Sequence, residues 1–329
     1  MAKDKRIEPD SAAVERFRRN LDPLIPADAP IGVAVSGGPD SLALLVLTAA
    51  ARPGMVEAAT VDHGLRDEAK DEAAMVAAVC ERLGVPHRIL TVEWKEKPKT
   101  AIQERARTAR FRLIGVWAKE RNLRAVLTGH HLDDQAETFI MRLARGAGVK
   151  GLAAMRRFTP VPGANIALLR PLLGWRRTEL EQVCADAGLT PVKDPSNEDE
   201  QFERVRVRRA LGEAEWLDPK GVALSAANLA EADVALRWAT TQEWNRAVTN
   251  GGGGIVYRPT DAPREIRRRI ARRAVMQLAT EGQGADLRGR ELDQILAALA
   301  GGRKATIRGV LCVGGKEWRF TKAPARRQA

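Results

Sequence analysis

Four groups of side chains in this 329-residue chain have the types and spacing to work on a phosphate ester. The first is Ser36-Gly-Gly-Pro-Asp-Ser41, set between the β-branched run Ile31 to Val35 and an apolar stretch that begins at Leu42. Two glycines let backbone approach a ligand closely, and successive N–H groups at a helix N-terminus cradle phosphate oxygens. The candidate nucleotide cradle is therefore Ser36, Gly37, Gly38, Pro39, Asp40 and Ser41, with both serine hydroxyls as added donors. No lysine follows in the Gly-Lys-Ser/Thr arrangement, so this is not the loop that grips β and γ phosphates for γ transfer.

The second group is Asp133, Asp134 and Glu137, one helical turn apart after a short apolar run, so their carboxylates can converge. Facing a triphosphate they would hold Mg²⁺, which takes one or two carboxylates plus phosphate oxygens; Asp40, Asp134 and Glu137 are the candidate ligands. The plainer reading is that acidic residues favour the first turn of a helix. Arg107 and Arg110, three apart on one helix face, have the spacing of a guanidinium pair suited to a phosphate or a base carbonyl, the plainer alternative being solvated helix arginines. The last group is histidine. His130 and His131 are adjacent and cannot both enter one pocket, so one packs and His130 is the candidate contact. His63, after Asp62, is either a polar cleft residue or part of a capped turn.

Alternating strands and helices must position these groups. Ile31 to Val35, Val56 to Val61, His87 to Val92 and Ala125 to Thr128 read as strands. Between them Ala69, Ala73, Val76, Cys80 and Leu83, and then Ile102, Ala106, Ala109, Leu113 and Val116, step at helical spacing. The expected fold is α/β, a doubly wound parallel sheet over residues 25 to 150, with ligands beyond the C-terminal strand ends. Each reactive group follows a strand end or lies on a crossover helix.

Further on the pattern loosens through Ala167 to Leu173. A helix is expected near Thr178 with a Thr178-x-x-Glu181 capping box, and Asp194-Pro-Ser-Asn197 is turn chemistry before the basic segment Arg204 to Arg209. A domain boundary is placed near 215, dividing the chain into 1–215 and 216–329. Asp218-Pro219 opens a long Ala-rich helix, Gly251 to Gly254 is a break, Pro263 to Leu278 is a helix with six arginines, and 301 to 320 reads as short strands.

The net charge is +12, from 54 Lys plus Arg against 42 Asp plus Glu. Residues 216 to 329 hold 20 basic and 11 acidic side chains, so three quarters of the excess lies in the last third. A polyanion such as nucleic acid is its natural partner, the alternative being Arg-rich helices that merely solvate well. No apolar stretch approaches the roughly 20 residues that cross a bilayer, and the charged start is unlike a signal peptide; a cytoplasmic protein is expected. Cys80, Cys184 and Cys312 lie about a hundred residues apart without Cys-x-x-Cys spacing, which argues against zinc ribbons and iron–sulfur sites and for buried small hydrophobes.

The loop Ser36 to Ser41 resembles the pyrophosphate loop, Ser-Gly-Gly-x-Asp-Ser, of the N-type ATP pyrophosphatases. Val61-Asp-His-Gly-Leu-Arg66 and Thr128-Gly-His-His-Leu-Asp-Asp-Gln-Ala-Glu137 narrow the resemblance to the tRNA(Ile)-lysidine synthetases. Gly151-Leu152 with Met155, Arg170-Pro-Leu-Leu173 and Asp194 to Asn197 resemble that family's later blocks, so the likeness covers roughly residues 30 to 210. It implies that ATP adenylates C2 of the wobble cytidine of a CAU-anticodon tRNA(Ile), releasing pyrophosphate, and that free L-lysine then displaces AMP. It further implies catalytic or substrate roles for Asp40, Arg107, Arg110, His130, Asp134 and Glu137, nucleotide contacts that extend to Asp62 and His63, and ATP with Mg²⁺ as cofactors.

Phe111 stands where the family usually has Tyr, which removes any hydroxyl role there. Val205 stands where Arg-Asn-Arg is usual, leaving Arg204, Arg206 and Arg208 as candidates for tRNA phosphates; Arg267, Arg268 and Arg272 are further candidates on charge alone. A tRNA 2-thiocytidine synthetase would need Cys-x-x-Cys, and small-molecule synthetases with a similar loop give no reason for the basic last third. A nucleotide-regulated RNA-binding module would keep loop and charge without needing the acidic group. Whether the chain works as a monomer or a homodimer is open from sequence.

Overall fold

A computed structural model describes residues 7–64, 69–94, 96, 100–192, 199–279, 287 and 289–324. The elements in chain order are α1 (Ser11–Leu21), β1 (Ile31–Ala34), α2 (Pro39–Ala51), β2 (Val56–Asp62), α3 (Ala69–Leu83), β3 (His87–Thr91), α4 (Ile102–Glu120), β4 (Ala125–Leu127) and α5 (Leu132–Ala144). They continue with α6 (Val149–Leu152), β5 (Phe158–Pro160), β6 (Ala167–Leu169), α7 (Arg177–Asp186), α8 (Glu203–Glu213) and α9 (Pro219–Ala247). The last are β7 (Val248–Gly251), β8 (Gly254–Tyr257), α10 (Arg264–Leu278), α11 (Gly289–Ala300), β9 (Lys304–Ile307), β10 (Val310–Val313) and β11 (Trp318–Lys322). Two compact units result, Met1–Gly146 with Gly151–Ala227, and Ala147–Lys150 with Asn228–Ala329, so the division falls within α9.

The first unit is the expected doubly wound sheet, in the order β3-β2-β1-β4-β6-β5. All pairings are parallel except the edge strand β5, which the sequence pattern did not reveal, against β6. From β1 the chain winds outward to β2 and β3, then returns through α4 to place β4 on β1's other side. That reversal opens a crevice at the C-terminal ends of β1 and β4, where doubly wound sheets bind ligands. Apolar side chains fill both faces of the sheet. Phe17, Leu42, Leu45 and Trp175 pack on one, and Phe111, Ile114 and Trp117 on the other.

Two local expectations are corrected. On α4, Ile102 and Val116 are exposed, and the buried residues are Ala109, Phe111, Ile114, Gly115, Trp117 and Ala118. The aromatic rings supply far more apolar area than the alanines of the alternative stripe, and burial follows area. At α7 the helix starts one residue before Thr178, and the carboxylate that closes its first turn is Glu179, accepting from the Arg176 N–H at 2.7 Å. Arg16 also reaches Glu179 at 2.5 Å, which fixes this glutamate rather than Glu181 as the cap.

In the second unit a five-stranded antiparallel sheet, β7-β8-β11-β10-β9, accompanies the helices α10 and α11 and the later part of α9. Its core joins Trp244, Tyr257, Ile270, Leu299, Trp318 and Phe320. The glycine run from 251 to 254 does not end structure: Gly252 and Gly253, both at positive φ, turn the β7–β8 hairpin. All three cysteines are free and buried, and burial pushes each thiol up to about 12. Among the described residues, no helix is long and apolar enough to cross a membrane.

Candidate active site

At the end of β1 the chain enters the loop with Gly37 at φ +85°, a conformation that L side chains rarely adopt. Gly38 caps α2 with Pro39 at its first turn, so the loop's N–H groups line the helix N-terminus. Ser41 ties the loop together: its hydroxyl donates to the Gly38 carbonyl at 3.0 Å and accepts from the Ser36 N–H at 3.1 Å. The Cys184 thiol donates to the Pro39 carbonyl at 3.3 Å from below. Gly129, just after β4, lies so close that a Cβ there would sit 2.8 Å from the Asp40 carbonyl oxygen. The backbones after β1 and β4 therefore meet at the crevice, as the sheet order requires.

His130 and His131 diverge. His131 is fully buried, with Nε2 3.5 Å from Asp40 Oδ2 and 3.6 Å from Asp134 Oδ2, and Nδ1 3.5 Å from Asp133 Oδ2. Burial alone would lower its pKa, but contacts with Asp133 and Asp40 and the charge of Asp134 outweigh that and raise it to about 9. It is a cation that gathers three carboxylates. His130, bonded to Thr128 Oγ1 through Nδ1 at 2.9 Å, is lowered to about 4 by burial, with Arg170, Arg110 and Arg107 opposing the pull of Asp134. At neutral pH it is an uncharged imidazole beside three guanidinium groups.

The acidic residues are partly structural, as the plainer reading had it. Asp134 accepts the His131 N–H at 3.1 Å, closing the first turn of α5, and Asp133 accepts the Arg177 N–H at 2.8 Å at the start of α7. Burial would raise both carboxyls, yet His131 and these donors hold Asp133 down to about 2 and Asp134 below its ordinary value. Glu137, 1% exposed, accepts from Arg208 Nε at 2.6 Å and lies 3.4 Å from Arg204 Nε. Arg204 also donates to Thr138 Oγ1 at 3.0 Å. Arg204 and Arg208, candidates for RNA contact, thus clamp α8 to α5, while Arg206, on the other side of α8, bonds the carbonyls of Glu200 and Gln201.

Arg107 and Arg110 flank the buried Phe111 ring, at 4.8 and 5.4 Å from its centroid. Burial lowers both guanidinium pKa values, helped by the charge of Arg204 at Arg107 and that of Arg107 at Arg110. Arg170, at the end of β6, is a site residue the sequence reading passed over except as part of a matching block. It is 6% exposed, braced by the Arg156 carbonyl and Thr159 Oγ1, and pushed down to about 10 by burial and Arg107. Asp62 accepts from the Gly64 N–H at 2.8 Å, and the His63 carbonyl accepts from Trp94 Nε1 at 2.7 Å. Asp62 therefore caps a turn. Arg66 and Asp194 to Asn197 lie outside the described residues.

Among the described residues no three His, Cys, Asp or Glu side chains form a metal cage. Asp40 Oδ1, however, is buried without a hydrogen-bond partner, and Asp134 Oδ1 lies 3.8 Å from Arg204, while the other oxygen of each faces His131. Two carboxylates with phosphate oxygens suit Mg²⁺, so these two fit the ion, whereas both Glu137 oxygens face arginines.

A Gly-rich cradle at the switch point of a doubly wound sheet, without the P-loop lysine, defines a PP-loop nucleotide-binding unit, and the PP-loop domain family matches residues 10–215. The U34-tRNA thiolase NcsA from Methanococcus maripaludis shares this fold at a TM-score of 0.56, with 18% identity, over 66% of this chain and 76% of that one. More specifically, the chain is 46% identical to a tRNA(Ile)-lysidine synthase of Novosphingobium aromaticivorans, covering 96% of each, and 42% identical to one of Zymomonas mobilis, covering 92% of each. It belongs to the tRNA(Ile)-lysidine synthase family.

Proposed function

We propose that the chain is an ATP-dependent ligase that converts the wobble cytidine of CAU-anticodon tRNA(Ile) to lysidine in the cytoplasm. The observation that carries this is the pairing of an unpartnered Asp40 Oδ1 on the nucleotide cradle with a neutral His130 ringed by three arginines, in a member of that family. The cytidine C2 oxygen attacks the α phosphorus of ATP and pyrophosphate leaves; the amine of free lysine then attacks C2, loses a proton, and AMP departs. Loop N–H groups from Ser36 to Ser41 hold the pyrophosphate. Mg²⁺ held by Asp40 and Asp134 would supply charge neutralisation to the leaving group.

Arg107, Arg110 and Arg170 stabilise negative charge on the adenylate phosphate and the departing AMP because they are fixed before reaction and partly desolvated. His130, neutral at working pH, offers the base an uncharged hydrogen-bonding edge. Glu137, buried beneath Arg204 and Arg208, keeps those guanidinium groups at the crevice. Residues 216–329 serve as the tRNA-binding region, with Arg267, Arg268 and Arg272 among its contacts.

The test is ATP-dependent transfer of radiolabelled lysine to unmodified tRNA(Ile) with a CAU anticodon, beside the methionine tRNA that shares it. Transfer to the isoleucine tRNA alone is expected; pyrophosphate release without lysine transfer would keep the adenylating site and reassign the nucleophile. The triple variant R267A/R268A/R272A should bind tRNA more weakly at unchanged ATP affinity, and unchanged tRNA affinity would remove those arginines from the interface.

A further inference from the structure

The surface of the first unit opens into a groove of about 880 Å³ between α4 and the turn at residues 162–166, with Arg107 in its lining. Its charged lining is Arg107, Arg112, Lys119 and Glu104, a net positive charge. No described carboxylate pairs with Arg112 or Lys119, unlike Arg204 and Arg208. These two stand seven residues apart, about 10 Å along the helix. Val116, between them, is 49% exposed although it faces the groove. An exposed aliphatic side chain between two cations with no described carboxylate partner offers a ligand both a contact surface and charge.

Arg107 joins the groove to the active site. Its guanidinium lies over Phe111, 4.8 Å from the centroid, and its charge acts on His130 and Arg170. A guanidinium backed by a ring presents a flat cationic face, on which unpaired RNA bases stack. The occupant favoured by charge is a polyanion, and Arg107 both lines the groove and acts electrostatically on His130, where the reacting base is placed above.

We propose that this groove is an RNA subsite that takes nucleotides next to the reacting cytidine, with a base on the Arg107 guanidinium and Val116 and backbone phosphates on Arg112 and Lys119. This rests on the lysidine-forming reading above and extends it to how the anticodon loop is held. An aromatic or aliphatic small molecule would use the apolar wall but not the two cations, so salt dependence separates the occupants.

The experiment measures binding of an unmodified anticodon stem-loop RNA, over a range of salt, to the full chain and to R112A/K119A, R112K/K119R and V116D, with ATP affinity measured in parallel. For R112A/K119A the RNA dissociation constant should rise about tenfold at 0.1 M salt. Its log–log salt slope should shrink by about 1.4, from ~0.7 per phosphate on a single strand. The charge-conserving variant should keep the slope, V116D should lose affinity, and ATP binding should stay unchanged throughout, which also shows that the variants fold. Native affinity and slope in R112A/K119A would overturn the subsite. If the unaltered chain does not bind the stem-loop, the parent reading falls, and the groove with it.

Discussion

Arg208 in the first unit closes on Glu137, and Arg269 in the second closes on Asp233 at 2.9 Å; both carboxylates are nearly inaccessible. What surrounds the two pairs differs. Around Asp233 in the second unit the described charges are matched: Arg269 also meets Glu265, Arg264 and Arg268 meet Asp293, and Glu243 accepts from Tyr257, Thr260 and Arg246. Beside Glu137 they are not. Asp40 keeps an unpartnered oxygen, and Arg107, Arg110 and Arg170 crowd together so that burial and like charge lower their proton affinity. A cation cluster of this kind is unfavourable for folding and is expected where an anionic ligand completes it. Thus the Arg-rich helix α10 owes much of its composition to holding its own unit together.

Glu137→Ala should have the largest effect, because it leaves Arg208 and Arg204 without their buried partner. A loss of about 3 kcal/mol in urea denaturation of the first unit is expected, the low end for breaking a buried pair because both arginines stay partly exposed. Loss of lysine transfer with native stability would move Glu137 from scaffold to chemistry. For Arg110→Ala the opposite pattern is expected: lysine transfer falls by roughly 10²–10³, the range for one preorganised charge-stabilising group, while thermal stability holds or rises as repulsion is relieved. A lower melting temperature in that variant would mean that the arginine cluster is as structural as α10.

Gly129→Ala tests the contact between the two loops. Its Cβ would press the Asp40 carbonyl at 2.8 Å, and overpacking of this kind costs about 1–3 kcal/mol. Equilibrium dialysis should show ATP affinity falling about tenfold with RNA affinity intact; unchanged ATP affinity would show that the cradle tolerates displacement. The smallest effect concerns pH in the second unit. Burial would raise the Glu243 carboxyl, but the bonds from Tyr257, Thr260 and Arg246 hold it below its ordinary value. A depressed folded pKa adds stability above the unfolded pKa and loses it as pH falls through the folded one. The urea midpoint of native protein should therefore exceed that of E243Q at neutral pH, and the gap should close below about pH 4. A gap that widens on acidification would reverse the assignment.

The parallel sheet, its first four strands, the pyrophosphate loop and the separate character of His130 and His131 were legible in sequence, because each depends on neighbours within a few residues. So was the burial of the three cysteines. The α4 stripe misled because alanines and exposed aliphatics matched the period while Phe111 and Trp117 carried the area. The hairpin β7–β8 was hidden because its strands are four residues each and glycine-rich.

By itself the sequence determined which chemical groups this protein owns and that a nucleotide cradle follows β1, since loop type and helix start are local properties. Only the tertiary structure decided how those groups are used. Strand order brought Gly129 to the loop after β1 and put the Arg170 charge within reach of His130, and the 3.6-residue period of α8 turned Arg204 and Arg208 toward Glu137 while sending Arg206 away. Burial fixed the charges of the two histidines, because a proton is kept or lost according to the groups that the fold packs around the ring.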